Sequence, residues 1–197
     1  MGQSKDSSGS VNSKIKDTLF LYFPLKDSTQ DSTERSNSLD PFRNVWYSKK
    51  LAAMKEPNLS EYESDNETYR FTWLRSFNEP IMIRIQKVNS NFTVTVKQLS
   101  GRGGYQSGHI IMNKTFKIKK SEWNELQTKL KQINFSQLKS ENEWRGFDGA
   151  EWILEGVTKY DYHYTIRWFP GKTSSYAKCC LYFLKLSRIK IVDDEIY

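Results

Sequence analysis

The length of 197 residues favours one domain over two, because two halves would each be short of core. The formal charge of +7 comes from lysines dispersed in short groups, which disfavours a nucleic-acid partner. A mean hydropathy of −0.72 beside an aromatic share of 14% predicts a core rich in Trp, Tyr and Phe, and no apolar run reaches the roughly 18 to 20 residues of a membrane helix.

The first residues, MGQSKDSSGSVNSK, are small and polar and cannot bury a core. We expect a disordered tether over residues 1–16 and a single α+β domain over residues 17–197. The stretch fails the myristoylation pattern at Asp6 but resembles the tether that follows the lipidated cysteine of bacterial lipoproteins. That resemblance implies the periplasm or the outer-membrane surface, with a lipid anchor as the only membrane contact. Without such a tether we expect a cytoplasmic protein.

The next segments combine a short apolar run with a helix signal. DTLFLYFPL (residues 17–25) predicts a first strand that ends near Pro24, and the polar residues from Lys26 predict a loop. Asp40 and Pro41 have the properties of an N-cap and a first helical residue. The helix is expected to end at Glu56-Pro57.

From Tyr69 the hydrophobic period changes from 3.6 to 2. YRFTWLRSF, IMIRIQ and NFTVTVKQ each alternate apolar and polar residues, and short turns separate them. Three antiparallel strands in a meander are therefore predicted. SGRGGYQSG is rich in glycine, but the following HIIMNKTFKI looks extended, which favours a hairpin loop over a phosphate-binding loop.

The second half of the chain adds two helices and two strands. Ser121 is a candidate N-cap for a helix that reaches Ile133, and AEWILEGV and KYDYHYTIRWF predict strands. TSSYAKCCLYFLKLSRI predicts an apolar helix capped by Thr173 or Ser174, with two buried thiols. The predicted fold class is α+β: a meander-rich antiparallel sheet of about six to eight strands with about three helices packed on one face.

Asp148 lies between two glycines in WRGFDGAEWILEG, where a catalytic acid on a loop and a tight turn are both conceivable. Aspartate bonds to nearby backbone N–H groups, and glycine tolerates positive φ. A catalytic acid more often occupies a rigid element beside a matched partner. We therefore favour the turn.

Strand alternation also predicts a polar sheet face. The residues expected to share it are Arg70, Arg84, Glu155, His163 and Arg167. Opposite charges paired across strands commonly finish a solvated face, and this is the favoured interpretation. A site for a small anionic ligand or a protein partner is the alternative, followed by catalysis. His163 and His109 have no metal-ligand spacing, so neither a metal nor another cofactor is predicted.

One run of residues carries a resemblance. Gly146, Asp148-Gly149, Trp152 and Glu155, followed by Tyr162-His163, Arg167-Trp168 and Pro170, resemble a recurring group of bacterial proteins of unknown function. The likeness extends upstream through YRFTWLRSF, the loop at Gly103-Gly104-Tyr105 and the helix near Trp123. It implies a single domain and no particular activity.

Three functions are considered from the sequence. The first is a non-enzymatic binding or interaction domain, since no nucleophile elbow, metal spacing or phosphate loop is present. The second is a small hydrolase or isomerase that uses His163 with Glu155 or Asp161, and Arg167 or Arg84 as an anion clamp. The third is a nucleic-acid-binding module, which would need exposed aromatic side chains beside clustered lysines.

Overall fold

A six-stranded antiparallel sheet forms the centre of the structure, a computed structural model that describes residues 20–24, 39–61, 66–142, 146, 148–159 and 161–197. The strands are β1 (Glu67–Arg75), β2 (Ile81–Val88), β3 (Asn91–Leu99), β4 (Ile110–Lys117), β5 (Ala150–Val157) and β6 (Tyr162–Trp168), in the order β4-β3-β2-β1-β5-β6. The helices are α1 (Pro41–Ala53), α2 (Lys120–Gln132) and α3 (Ser175–Ser187). The α+β prediction, with its antiparallel meander, is confirmed.

Both faces of the sheet are covered, which corrects the expectation of three helices on one face. Helices α2 and α3 pack on one face, against the side of β1 and β5 that carries Trp73 and Trp152. Helix α1 packs on the other, where Leu74 and Ile153 belong to a second core cluster. Strands β1 and β5 place apolar side chains at both parities, as strands buried on both faces do. We call the two faces the α2/α3 face and the α1 face.

Two of the three predicted helix N-caps are formed. The Asp40 carboxylate accepts the Arg43 N–H at 3.1 Å, and the Ser174 hydroxyl accepts the Ala177 N–H at 3.1 Å, which confirms both caps. Ser121 is not an N-cap, because α2 begins one residue before it. There the Glu122 carboxylate accepts the N–H of Lys119 at 2.7 Å.

The N-terminal predictions fall largely outside the described residues. The tether (1–16) and the loop predicted from Lys26 are not among them. Residues 20–24, the described part of the first predicted strand, form no strand. Side chains of α1 bond their backbone instead: Ser48 accepts the Tyr22 N–H at 2.9 Å, and Asn44 donates to the Phe23 carbonyl at 2.9 Å. None of the helices in the described ranges is long and apolar enough to cross a membrane.

The glycine-rich stretch connects β3 to β4 and lies against the end of β1. Gly103 N–H donates to the Asn78 carbonyl at 3.0 Å, and Gly104 N–H donates to the Ser76 carbonyl at 3.3 Å. A Cβ atom on Gly103 would lie 2.2 Å from the backbone oxygen of Arg75. Glycine at 103 thus serves the close approach of two backbones, as the hairpin interpretation allows.

We expect Gly103→Ala to lower the free energy of unfolding by about 1–3 kcal/mol, because a methyl group there must displace backbone rather than a flexible side chain. Urea denaturation measures the loss. Gly104→Ala is the matched control, since its Cβ would lie 3.1 Å from the nearest backbone atom and needs a smaller shift. Equal stability of Gly103→Ala and the wild type would contradict this packing.

Candidate functional site

The five residues predicted to share a polar face are divided between the two faces of the sheet. Arg70 lies directly opposite Arg84 on β2 and Glu155 on β5, so these three share the α1 face. On β6, Tyr164 pairs with Glu155, whereas His163 pairs with Gly156. His163 and, four residues on, Arg167 therefore occupy the α2/α3 face. The prediction of one shared face is wrong for these two residues.

The α1 face holds a buried group of charges that we call the ion cluster: Glu56, Arg70, Arg84, Lys97 and Glu155. Arg70 donates to both Glu155 carboxylate oxygens, at 2.7 and 2.6 Å. Glu56 lies 3.0 Å from Arg84 Nε and 2.7 Å from Lys97 Nζ, although the angles fall outside hydrogen-bond geometry. The side chains of Arg70, Glu56 and Glu155 are fully buried.

The ion cluster fastens the C-terminal end of α1 to the sheet. Lys97 Nζ donates to the carbonyls of Met54 and Lys55 at 2.8 and 3.1 Å, where the helix dipole favours a cation. Arg70 also donates to the Pro57 carbonyl at 2.8 Å. Burial opposes the charge of Arg70, but Glu155 and Glu56 outweigh it, and the pKa of Arg70 is raised. These contacts give the cluster a structural role, with its charges already engaged.

The imidazole of His163 packs against an aromatic side chain. Its ring and that of Phe135 form a T-shaped contact, with 5.0 Å between the ring centroids. Burial lowers the pKa of His163, and the nearby carboxylate of Asp161 opposes that shift only in part. Glu155 is on the other side of the sheet. The His163–Glu155 pair that the enzyme hypothesis requires is therefore not formed.

Arg167 is engaged by backbone carbonyls. Its guanidinium donates to Lys139 at 2.7 Å and to Ile166 at 2.8 Å, and its Cζ lies 5.5 Å from the ring centroid of Tyr176. These contacts hold the segment before β5 against β6, whose Ile166 N–H donates to the Ser140 carbonyl at 2.6 Å. Arg167 thus connects two segments of the chain, and its guanidinium is not free to clamp an anion.

A second charged group, which the sequence did not indicate, lies at the start of α1. Arg43 donates to Tyr47 Oη at 2.7 Å and lies 2.5 Å from a Glu141 oxygen and 3.3 Å from a Glu151 oxygen. Burial raises the pKa of Glu151, against the attraction of Arg43. The group joins α1 to β5 and to the segment that precedes it.

Asp148 lies exposed in a bend directly before β5, as the turn interpretation predicted. Gly149 beside it exchanges hydrogen bonds with Ser76. The Ser76 N–H donates to the Gly149 carbonyl at 2.8 Å, and the Gly149 N–H donates to the Ser76 hydroxyl at 3.3 Å. The bend thereby aligns β5 with β1.

The α2/α3 face contains a cavity of about 630 Å³ at its β4 side, which we call the basic cavity. Its charged lining consists of Arg75, Lys114, Arg188, Lys190, Glu79 and Glu195. Met112 and Phe116 of β4 add apolar surface, and the chain after α3 forms the opposite wall. Four cationic side chains against two carboxylates give this cavity a positive balance.

Two arginines shape the basic cavity. Arg75 is 1% exposed; its Nη1 donates to a Glu195 oxygen at 2.9 Å, and its Nε is buried without a hydrogen-bond partner. Arg188 caps α3 in the left-handed conformation, at φ 58°, and its Cζ lies 4.5 Å from the ring centroid of Phe116. The Arg75 guanidinium is thus buried, and the Arg188 guanidinium lies over the ring of Phe116. This arrangement is suited to holding an anion.

In the ranges that the structure describes, no group of three His, Cys, Asp or Glu side chains is placed to hold a metal ion. No protein-family model matches the chain, and a comparison with curated proteins likewise returned no match.

Proposed function

We propose that this protein is a non-enzymatic binding domain that takes a small polyanion, with carboxylate or phosphate groups, in the basic cavity. The observation that carries the proposal is the convergence of Arg75, Lys114, Arg188 and Lys190 on one cavity of about 630 Å³. Small-molecule sites in proteins typically enclose about 300–1,000 Å³. The cavity therefore has the size of a ligand site and the charge to attract an anion.

Arg75 supports the proposal most strongly. A buried guanidinium with an unsatisfied Nε is costly unless another group completes its hydrogen bonds. Glu195 holds one side of the buried Arg75 but is itself 38% exposed, so water partly screens this ion pair. An incoming carboxylate or phosphate can replace Glu195 on Arg75.

The two other functional hypotheses have less structural support than anion binding. The hydrolase or isomerase is left without its Glu155 partner and its Arg167 clamp, because Glu155 lies on the other face of the sheet and Arg167 bonds backbone carbonyls, so Asp161 is the carboxylate near His163. The nucleic-acid module needs exposed aromatic residues beside clustered lysines, and it was suggested by the aromatic residues of the strands. Phe71, Trp73 and Trp152 are fully buried beneath α3.

Attachment to a bacterial envelope through a lipidated N-terminus belongs to the proposal as well. It rests on the polar composition of residues 1–16 alone. Labelling of the full-length protein with a radioactive fatty acid in its native cell tests it. An unlabelled protein would remove this part of the proposal and leave the basic cavity untouched.

Isothermal titration calorimetry tests anion binding. We expect both citrate and pyrophosphate to bind at micromolar to millimolar concentration, and the affinity to fall as salt rises because exposed cations are screened. The two anions separate carboxylate from phosphate preference. Trimethyl citrate, which has the shape of citrate without its charge, is expected not to bind. Equal binding of citrate and its ester would refute an anion site.

Two variants locate the site, and a third serves as the control. Arg188→Gly removes a cavity cation at a position where glycine suits the left-handed backbone, so affinity is expected to fall about fivefold without loss of stability. Glu195→Gln removes the competing carboxylate and is expected to raise affinity up to about fivefold. Lys131→Met, on the exposed end of α2, is the control and is expected to change neither the anion affinity nor the stability. Unchanged affinity in both cavity variants would contradict the proposed location.

A further inference from the structure

The free edge of β4 is the second notable feature of the same side of the molecule. Strand β4 ends the sheet order, so the described residues offer it one neighbour, β3. The opposite edge is covered at one position, where β6 bridges in parallel to Glu141 and the Ile166 N–H donates to the Ser140 carbonyl at 2.6 Å. Within the described residues, the β4 edge has no such bridge and presents an open row of backbone groups.

The alternation of the ladder shows which groups point outward. Ile118 donates its N–H to the Phe92 carbonyl at 3.0 Å, which makes these two residues a hydrogen-bonded pair. In an antiparallel ladder the next pairs alternate, so the N–H and C=O groups of Lys117, Thr115 and Asn113 face away from β3. Three residues at a spacing of two match the period of an added strand.

The charge beside this edge indicates what kind of strand would fit. Lys114, Lys117, Lys119 and Lys120 lie within seven residues that contain no carboxylate. Arg188 and Lys190 face Lys114 across the basic cavity. Two copies of this chain paired through β4 would bring the same lysines together, and like charges disfavour self-association. An acidic strand meets opposite charge along the C-terminal half of the edge.

We propose that β4 accepts an extended acidic segment of a partner protein as a seventh strand. Its backbone pairs with Asn113, Thr115 and Lys117, and its carboxylates reach Lys117 on one face and the cations of the basic cavity on the other. Ile111, 51% exposed, adds an apolar contact near the start of β4. This inference rests on the proposed function and adds the class of partner that supplies the anion.

A labelled eight-residue peptide, Glu-Glu-Val-Val-Glu-Glu-Val-Val, which places carboxylates on both faces of a strand, is the probe, and fluorescence anisotropy follows its binding. We expect it to bind the full chain and to slow hydrogen exchange at the outward-facing amides of Thr115 and Lys117. The same peptide N-methylated at alternate residues keeps its charge but cannot pair as a strand, and it is expected to bind at least about tenfold more weakly. Equal binding of the two peptides would refute strand addition.

Variants of β4 separate this inference from the proposed function. Thr115→Pro removes an outward N–H and leaves the ladder to β3 intact, so peptide affinity is expected to fall about tenfold, while Thr115→Val keeps it. Lys117→Glu, outside the basic cavity, is expected to weaken the peptide about fivefold and leave pyrophosphate unchanged. Pyrophosphate binding without peptide binding would refute the inference and preserve the anion site. Dimerisation of the protein through β4 would also refute it.

Discussion

Arg70→Met is expected to lower the free energy of unfolding by about 3–5 kcal/mol, because it leaves the carboxylate of Glu155 buried without its cation. Tyr162 Oη, at 3.1 Å, then remains as a hydrogen-bond donor to Glu155. A hydroxyl cannot balance a fully buried charge. Urea denaturation at neutral pH measures the effect.

Two further variants test the cause of that loss. Arg70→Met combined with Glu155→Leu removes both charges and is expected to recover most of the stability, since a buried pair replaced by apolar side chains is commonly neutral or better. Lys87→Met breaks the exposed pair with Glu67, at 2.6 Å, and is expected to cost less than about 1 kcal/mol. A loss for Arg70→Met as small as that for Lys87→Met would show that the ion cluster does not fasten α1.

Alkaline pH is expected to unfold the protein, beginning near pH 9. Burial raises the pKa of Cys179 from 9.0 to about 12 and that of Cys180 well above 9.0. The native state therefore retains protons that the unfolded chain releases. Each thiol lowers the free energy of unfolding by about 1.4 kcal/mol per pH unit above pH 9, until the pH reaches its folded pKa.

Other groups modify this alkaline transition in known directions. Burial raises the pKa of Tyr47, Tyr162 and Tyr176 well above 10.0, so their contribution to stability is lost above pH 10. Lys50 acts the opposite way. Burial lowers its pKa from 10.5 to about 8, and its unfavourable charge is relieved as the pH rises between these values. Four or more acidic groups outweigh one lysine.

Urea unfolding curves between pH 7 and pH 10.5 measure the transition. Cys179→Ala combined with Cys180→Ala removes the two thiol titrations and leaves the tyrosines. This variant is expected to be less stable than the wild type at pH 7, because of the space left in the core, and to lose less stability between pH 9 and pH 10. The same pH slope for both proteins would contradict burial of the thiols as protonated groups.

The fold was predictable because the hydrophobic periods along the chain are strong. The period of two from Tyr69 to Lys97 predicts three consecutive strands, and these form β1 to β3. Asp40-Pro41 and Ser174 mark the starts of two helices, because N-cap hydrogen bonds form within the local segment and do not depend on tertiary contacts. The first strand, the Ser121 cap and the layering were wrong, and for the layering AEWILEGV contained the signal. Trp152, Ile153 and Leu154 are consecutive apolar residues, typical of a strand buried on both faces.

The polar site was less predictable because parity within a strand does not show which face of the sheet it addresses. Tyr164, and not His163, lies opposite Glu155, and that register depends on the turn between β5 and β6. Glu56 and Lys97 join Arg70 only when α1 folds across the sheet, and no local pattern announces such a contact. The basic cavity likewise joins Arg75 to Arg188, residues far apart in sequence.

The account's main claim is that anions are bound by the basic cavity and not by the arginines of the predicted polar face. Nitrogen-edited NMR of the arginine Nε–Hε signals during a pyrophosphate titration tests it directly. The signals of Arg75 and Arg188 are expected to shift, and those of Arg70 and Arg167 to stay in place. Shifts of Arg70 or Arg167, with Arg75 and Arg188 unmoved, would contradict the claim.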